Sequence, residues 1–184
     1  MEYVCISRQE FSFEAYRILP LRHQDLPLIK TWRNEQMDVL RQQKPLTDED
    51  QENYWKQTLV PSFAQQQPAQ LLFSYLLQDR CIGYGGLVHI DWDAGRAEMS
   101  YLVETVRYQD KKLYEKEFIC FFSLLKNVAF EVLHFHRLYT ETYGVRPHHM
   151  AVLEKMGFVK EGRLREHVLI QGKYADAYLH GYAA

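Results

Sequence analysis

Several things this chain lacks narrow its reading before any motif is considered. It has no apolar run near the roughly 18 residues that cross a bilayer. Its opening residues, MEYVCISRQE, carry acidic side chains and no hydrophobic signal core, so a soluble, cytoplasmic protein without a membrane partner is expected. Only three cysteines occur among 184 residues, and Cys5, Cys81 and Cys120 lie far apart. That excludes a disulfide framework and a cysteine-based zinc site, and it fits reduced thiols. Charge of one sign is also missing: 22 Lys and Arg against 24 Asp and Glu leave a formal net charge of −2. Such a chain has no global attraction for nucleic acid, so an anionic ligand needs a local basic cluster. The histidine pairs His134/His136 and His148/His149 lack metal-ligand spacing, and no metal is expected. There is no nucleophile elbow, internal repeat or low-complexity segment.

What is present is ordinary for a globular α/β protein of one domain over residues 1–184. The chain is 47% apolar and 25% charged, with enough length for a substantial core. Aromatics reach 14%, and 13 tyrosines suggest a polar-lined cleft beside that core. Tyr3–Ser7 and Phe13–Leu21 read as strands, and Gln24–Asn34 as a helix with Leu26, Ile29 and Trp32 on one face. Thr47 with Asp50 predicts a helix start, continued by Tyr54, Trp55 and Leu59 and stopped by Pro61. Leu71–Leu77 and Cys81–Ile90 form a predicted hairpin across Gln78-Asp79-Arg80. Gly83, Gly85 and Gly86 mark a bulge or close backbone approach in its second strand. Arg96–Val103 is the next strand, and Tyr114–Leu133 carries the broad apolar stripe of a long buried helix.

The C-terminal part is the most structured in pattern. Leu138–Tyr143 suits a strand, Pro147 suits a first helical turn and Gly157 suits a helix C′ position. Phe158 opens an extended run that turns at Gln171-Gly172 and returns through Tyr174 to Tyr182. Leu153-Glu154-Lys155-Met156-Gly157-Phe158, then Glu161-Gly162-Arg163-Leu164-Arg165 and Gly172-Lys173-Tyr174-Ala175-Asp176, closely resembles the end of GNAT N-acetyltransferases. It looks most like the branch of ribosomal-protein N-terminal and bacterial amino-sugar acetyltransferases.

The resemblance implies a GNAT (acyl-CoA N-acyltransferase) fold, a central mixed twisted sheet flanked by helices, with acetyl-CoA as co-substrate. It places the acyl end between Arg96–Val103 and Leu138–Tyr143, and the pyrophosphate at the N-terminus of the long helix, where orphan N–H groups favour an anion. Arg107, Lys111 and Lys112, with Lys116 nearby, would supply positive charge there, although Arg107–Lys112 lacks the family's glycines. Arg146 and Leu153 stand where the family often has an Asn and a Tyr acid; Arg146 then reads as a phosphate ligand. Tyr143, or else Tyr101 or Tyr139, would protonate the departing thiolate. Glu98 is the expected base and Glu141 the second choice, with strand N–H groups at Tyr101, Leu102 and Val103 meeting the oxyanion.

Trp32-Arg33-Asn34 resembles the substrate side of nucleotide-amino-sugar acetyltransferases, Arg33 gripping a phosphate and Asn34 a hydroxyl. At pH 7 a lysine amine is neutral in roughly one molecule in 2,500, and an α-amine in about one in seven. Modest base machinery therefore suits a low-pKa amine. The expected function is acetyl transfer to a small-molecule amine, a nucleotide-linked amino sugar, with a protein N-terminus as alternative acceptor. A non-catalytic GNAT-like binding protein stays open, as does a homodimer.

Overall fold

The computed structural model describes residues 1–184. A single eight-stranded sheet organises the chain in the order β1-β2-β3-β4-β5-β6-β8-β7. Its strands are β1 (Phe11–Phe13), β2 (Tyr16–Pro20), β3 (Leu71–Leu77), β4 (Arg80–Asp91), β5 (Arg96–Val103), β6 (Arg137–Tyr143), β7 (Val159–Ile170) and β8 (Lys173–Ala183). Every neighbouring pair is antiparallel except β5 and β6. These two pair only through Arg96–Glu98 and Arg137–Tyr139 before they part.

The helices are α1 (Leu26–Glu35), α2 (Asp48–Tyr54), α3 (Val60–Phe63), α4 (Thr105–Gln109), α5 (Lys111–Lys126) and α6 (Pro147–Lys155). Six consecutive residues of β3 are buried, as expected of a strand covered on both faces. Tyr114, Phe118, Phe121, Phe122 and Leu125 place the apolar stripe of α5 in the core. Thr47 and Asp50 close a reciprocal capping box at the start of α2. The φ of +94° at Gly157 ends α6, with the Gly157 and Phe158 N–H groups donating to Glu154 and Leu153 carbonyls. A Cβ at Gly86, where φ is +153°, would collide with the Leu71 backbone, so the close approach read from the glycines is real.

Several local expectations change. Tyr3–Ser7 is a turn, because the buried Tyr3 ring packs on Phe63 and Phe73 and its hydroxyl donates to the Leu72 carbonyl. The predicted Phe13–Leu21 strand breaks at Glu14, whose φ is +53°, and folds back as the β1–β2 hairpin. Pro61 does not stop the second helical segment. A wide π-type turn over Trp55–Leu59 carries the chain into α3, where Pro61 sits in the first turn and needs no donor. The long helix begins at Lys111, and α4 occupies what was expected to be a loop. No helix is long and apolar enough to cross a membrane.

Candidate functional site

Where β5 and β6 separate, a cleft of about 210 Å³ opens, lined by residues of both strands, α5, α6 and the segment after α1. The divergence leaves the edge of β5 from Met99 onward without a ladder partner in β6. Glu98 sits at the last shared pair and is 8% exposed. Its Oε2 lies 2.7 Å from His89 Nδ1, and both oxygens accept from Arg41, at 3.1 and 3.3 Å. The same Arg41 Nη2 donates to Glu141 at 3.0 Å, so one guanidinium bridges the two expected carboxylates. His167 Nε2 stands 3.7 Å from the other oxygen of Glu141.

His89 reaches Glu98 through a backbone irregularity. The β4–β5 register shifts between Val88 and Asp91, and His89 itself has φ +48°. A bulge of this kind re-aims a side chain, and a left-handed non-glycine backbone stores strain that the surroundings must hold. The imidazole ends at the rim, still 62% exposed, while the carboxylate it meets is buried.

The cleft also carries polar atoms in search of partners. Tyr101 Oη, Thr140 Oγ1 and Arg146 Nε are buried, line this one space and make no hydrogen bond. Unpartnered buried groups are costly and mark places where a ligand completes the set. The Arg146 guanidinium donates from Nη2 to the Tyr114 hydroxyl at 3.1 Å, leaving that O–H to donate to His149 Nδ1 at 2.6 Å. Burial, then the Arg146 charge, holds His149 well below its ordinary pKa, consistent with a neutral acceptor ring. Burial raises the Tyr143 phenol, with Arg41 opposing, and raises Tyr101 further, so both hydroxyls are protonated proton donors at neutral pH.

The pyrophosphate end differs from expectation. Asp110 caps α5 with its own carboxylate, which accepts from the Lys112 and Leu113 N–H groups at 3.1 Å. Two of the orphan donors expected to hold phosphate are thus already satisfied. Arg107 points away from that end, bonding Glu104 at 2.9 Å and the fully buried Glu117. Lys111 and Lys112 remain exposed near it. The residues therefore suit the acyl and pantetheine part of acetyl-CoA in the β5/β6 cleft. The start of α5 offers a smaller set of free N–H groups to phosphate than an uncapped helix would.

The expected substrate triad is not assembled as such. Consecutive helical residues point about 100° apart, and Trp32, Arg33 and Asn34 go three ways. Trp32 enters the core at 4% exposure. Asn34 clamps the following loop, accepting from the Leu46 N–H at 2.7 Å and donating to its carbonyl at 2.9 Å. Only Arg33 lines the cleft, donating to the Tyr84 hydroxyl at 2.6 Å and to Gln42 at 2.9 Å. Leu102 and Val103 are core residues, and the Val103 carbonyl accepts from Gln36 at 2.9 Å. Tyr139 is outside the cleft lining, whereas Glu98, Tyr101, Glu141, Tyr143 and Arg146 share it. No group of three or more His, Cys, Asp or Glu is arranged to hold a metal ion.

The family model for the acetyltransferase (GNAT) domain matches residues 18–179. No curated protein sequence matches. Among solved structures, a spermidine N-acetyltransferase from Vibrio cholerae, in complex with CoA and spermine, superposes with TM-score 0.79 at 20% identity. That match covers 93% of this chain and 96% of the other. A point mutant of the Vibrio cholerae enzyme gives 0.74 at 22% identity over 93% and 95% of the chains, and a dodecameric form gives 0.69 at 20% over the same shares.

Proposed function

The chain belongs to the GNAT acetyltransferase family, which makes it an acetyl-CoA-dependent N-acetyltransferase, and from that premise we propose that it acetylates a small aliphatic primary amine at Glu98. The observation that carries this reading is the Arg41 guanidinium seated between Glu98 and Glu141. Two carboxylates, Glu98 and Glu141, face the acceptor end of the cleft, and an arriving ammonium competes with Arg41 for them. The nucleotide-linked amino sugar loses support, because Trp32 and Asn34 are engaged elsewhere and only Arg33 remains to meet phosphate. Solved neighbours of the same fold are named for spermidine, itself a cationic amine.

Bound acetyl-CoA supplies an activated acyl thioester. Glu98 takes the proton of the incoming amine, and the adjacent imidazole of His89 leads from that buried carboxylate to solvent. The unpaired edge of β5 past Glu98 provides the polar wall for the developing oxyanion. Tyr143 and Tyr101 are the proton donors within the same space, and Leu153, which replaces the family's usual tyrosine, is a core residue.

The test is turnover of acetyl-CoA by purified protein against aliphatic amines, N-terminal peptides and nucleotide-linked amino sugars. Aliphatic amines are expected to give the highest kcat/KM. Preference for a nucleotide-linked sugar would overturn the reading. His89→Ala removes a hydrogen bond to a charged group and is expected to lower kcat by roughly 10- to 100-fold. Acetyl-CoA affinity by calorimetry should not change.

A further inference from the structure

Beside the cleft lies a second cavity of about 310 Å³, between α1, α2 and the sheet. The two spaces share Arg33, Val88 and Ser100, so the cavity adjoins the end of the cleft where the amine is proposed to react. Its walls are more apolar than polar, with Leu26 and Ile29 from α1, Leu46 from the loop and Leu72 from β3, and Tyr54, Gln70 and Tyr84 also line it. One fully buried polar atom in its wall has no partner. Gln51 is 8% exposed and its amide Nε2 makes no hydrogen bond. For scale, an apolar cavity of about 150 Å³ is enough to hold benzene.

We propose that this chamber is the acceptor's specificity site and holds an uncharged aliphatic arm whose far end accepts a hydrogen bond from Gln51. This rests on the amine-acetyltransferase reading above and narrows its substrate class. The chamber is apolar enough to reward methylenes. Asp50, the one carboxylate at its edge, already accepts from the Thr47 N–H and hydroxyl at 2.9 and 3.0 Å. An apolar interior with the unpartnered Gln51 amide instead suits a neutral acceptor such as an ether, hydroxyl or carbonyl oxygen at the end of the arm. Arg33, fixed by Tyr84, stands at the passage between the spaces, where it repels a second positive charge on the arm.

The experiment uses a homologous series of unbranched primary alkylamines, the same series ending in a methoxy group, and diamines of matching length. kcat/KM should rise about fourfold per methylene over the carbons that fit, from the transfer value of about 0.8 kcal/mol per buried CH₂. Methoxy-terminated amines should gain a further few-fold over the alkylamine of equal length, and that gain should vanish in Gln51→Leu. Leu46→Trp, which fills the chamber from the loop, should flatten the chain-length slope. Thermal melts establish that both variants fold. Calorimetry of the series on Glu98→Gln with acetyl-CoA present reads the chamber without chemistry. A length-dependent affinity there, with turnover intact, would sink the Glu98 reading and leave the chamber standing. No chain-length slope in wild type, a slope untouched by Leu46→Trp, or diamines outcompeting alkylamines would overturn the chamber.

Discussion

Glu98→Gln is expected to lower kcat by about 10²–10⁴-fold, the usual contribution of a positioned base. The substitution keeps the size of the side chain and one acceptor oxygen for His89, while its amide nitrogen replaces the oxygen that accepts from Arg41 Nη2. The change is confined to the acceptor end, so folding and acetyl-CoA affinity should stay near wild type. What it removes is the proton acceptor in the cleft. An aliphatic amine is almost wholly protonated at neutral pH, and without Glu98 only the small neutral fraction in solution can attack. The deficit should therefore narrow as pH rises toward the pKa of the amine, since solvent then does the deprotonation. Steady-state rates of both proteins from pH 7 to 10, with the amine pKa measured separately, decide the matter. A variant slow by the same factor at every pH would make Glu98 a positioning group. A variant at wild-type rate throughout would pass the role to Glu141, which shares the Arg41 guanidinium.

The legible parts of this fold were those written in local signals. Pro147 and Gly157 bound α6, Gln171-Gly172 turns the last hairpin, and Thr47 with Asp50 opens α2, each by a rule spanning a few residues. Glu98, Tyr101, Glu141, Tyr143 and Arg146 meet in one cleft because β5 and β6 lie side by side, a placement that only the family resemblance implied. Arg41 was not legible: it sits on a loop 57 positions from Glu98, and only the fold brings them together. His89 was hidden by a bulge that no local residue pattern announces. The phosphate loop was read from family likeness against a local signal that pointed the other way. An aspartate directly before Lys111 is a helix N-cap, and Asp110 acts as one. Glu117 also carried a hint, since it falls on the apolar stripe of α5, where a charge requires a partner.

That partner is Arg107, and Arg107→Ala is expected to cost about 3–5 kcal/mol of stability, the loss typical when one member of a buried pair is removed. Glu117 has no exposed surface and its Oε2 already lacks a hydrogen bond, so the carboxylate left behind would be charged, buried and alone. For a chain of this length that corresponds to a fall in Tm of roughly 6–20 °C. Burial raises the Glu117 pKa above its ordinary value and Arg107 lowers it. A carboxyl whose folded pKa is raised binds its proton more tightly in the native state. Its cost to stability is therefore absent below the unfolded pKa and grows as pH rises through the folded one. Without Arg107 the folded pKa rises further, so the variant should lose more stability at pH 8 than at pH 5, where protonation relieves the stranded charge. Denaturant midpoints of wild type and variant at the two pH values measure this. Arg107→Ala/Glu117→Leu, which removes both charges, should recover most of the loss at pH 8. If instead the single variant melts like wild type and loses only acetyl-CoA affinity, Arg107 faces the phosphate after all and the ion pair with Glu117 is not what holds it.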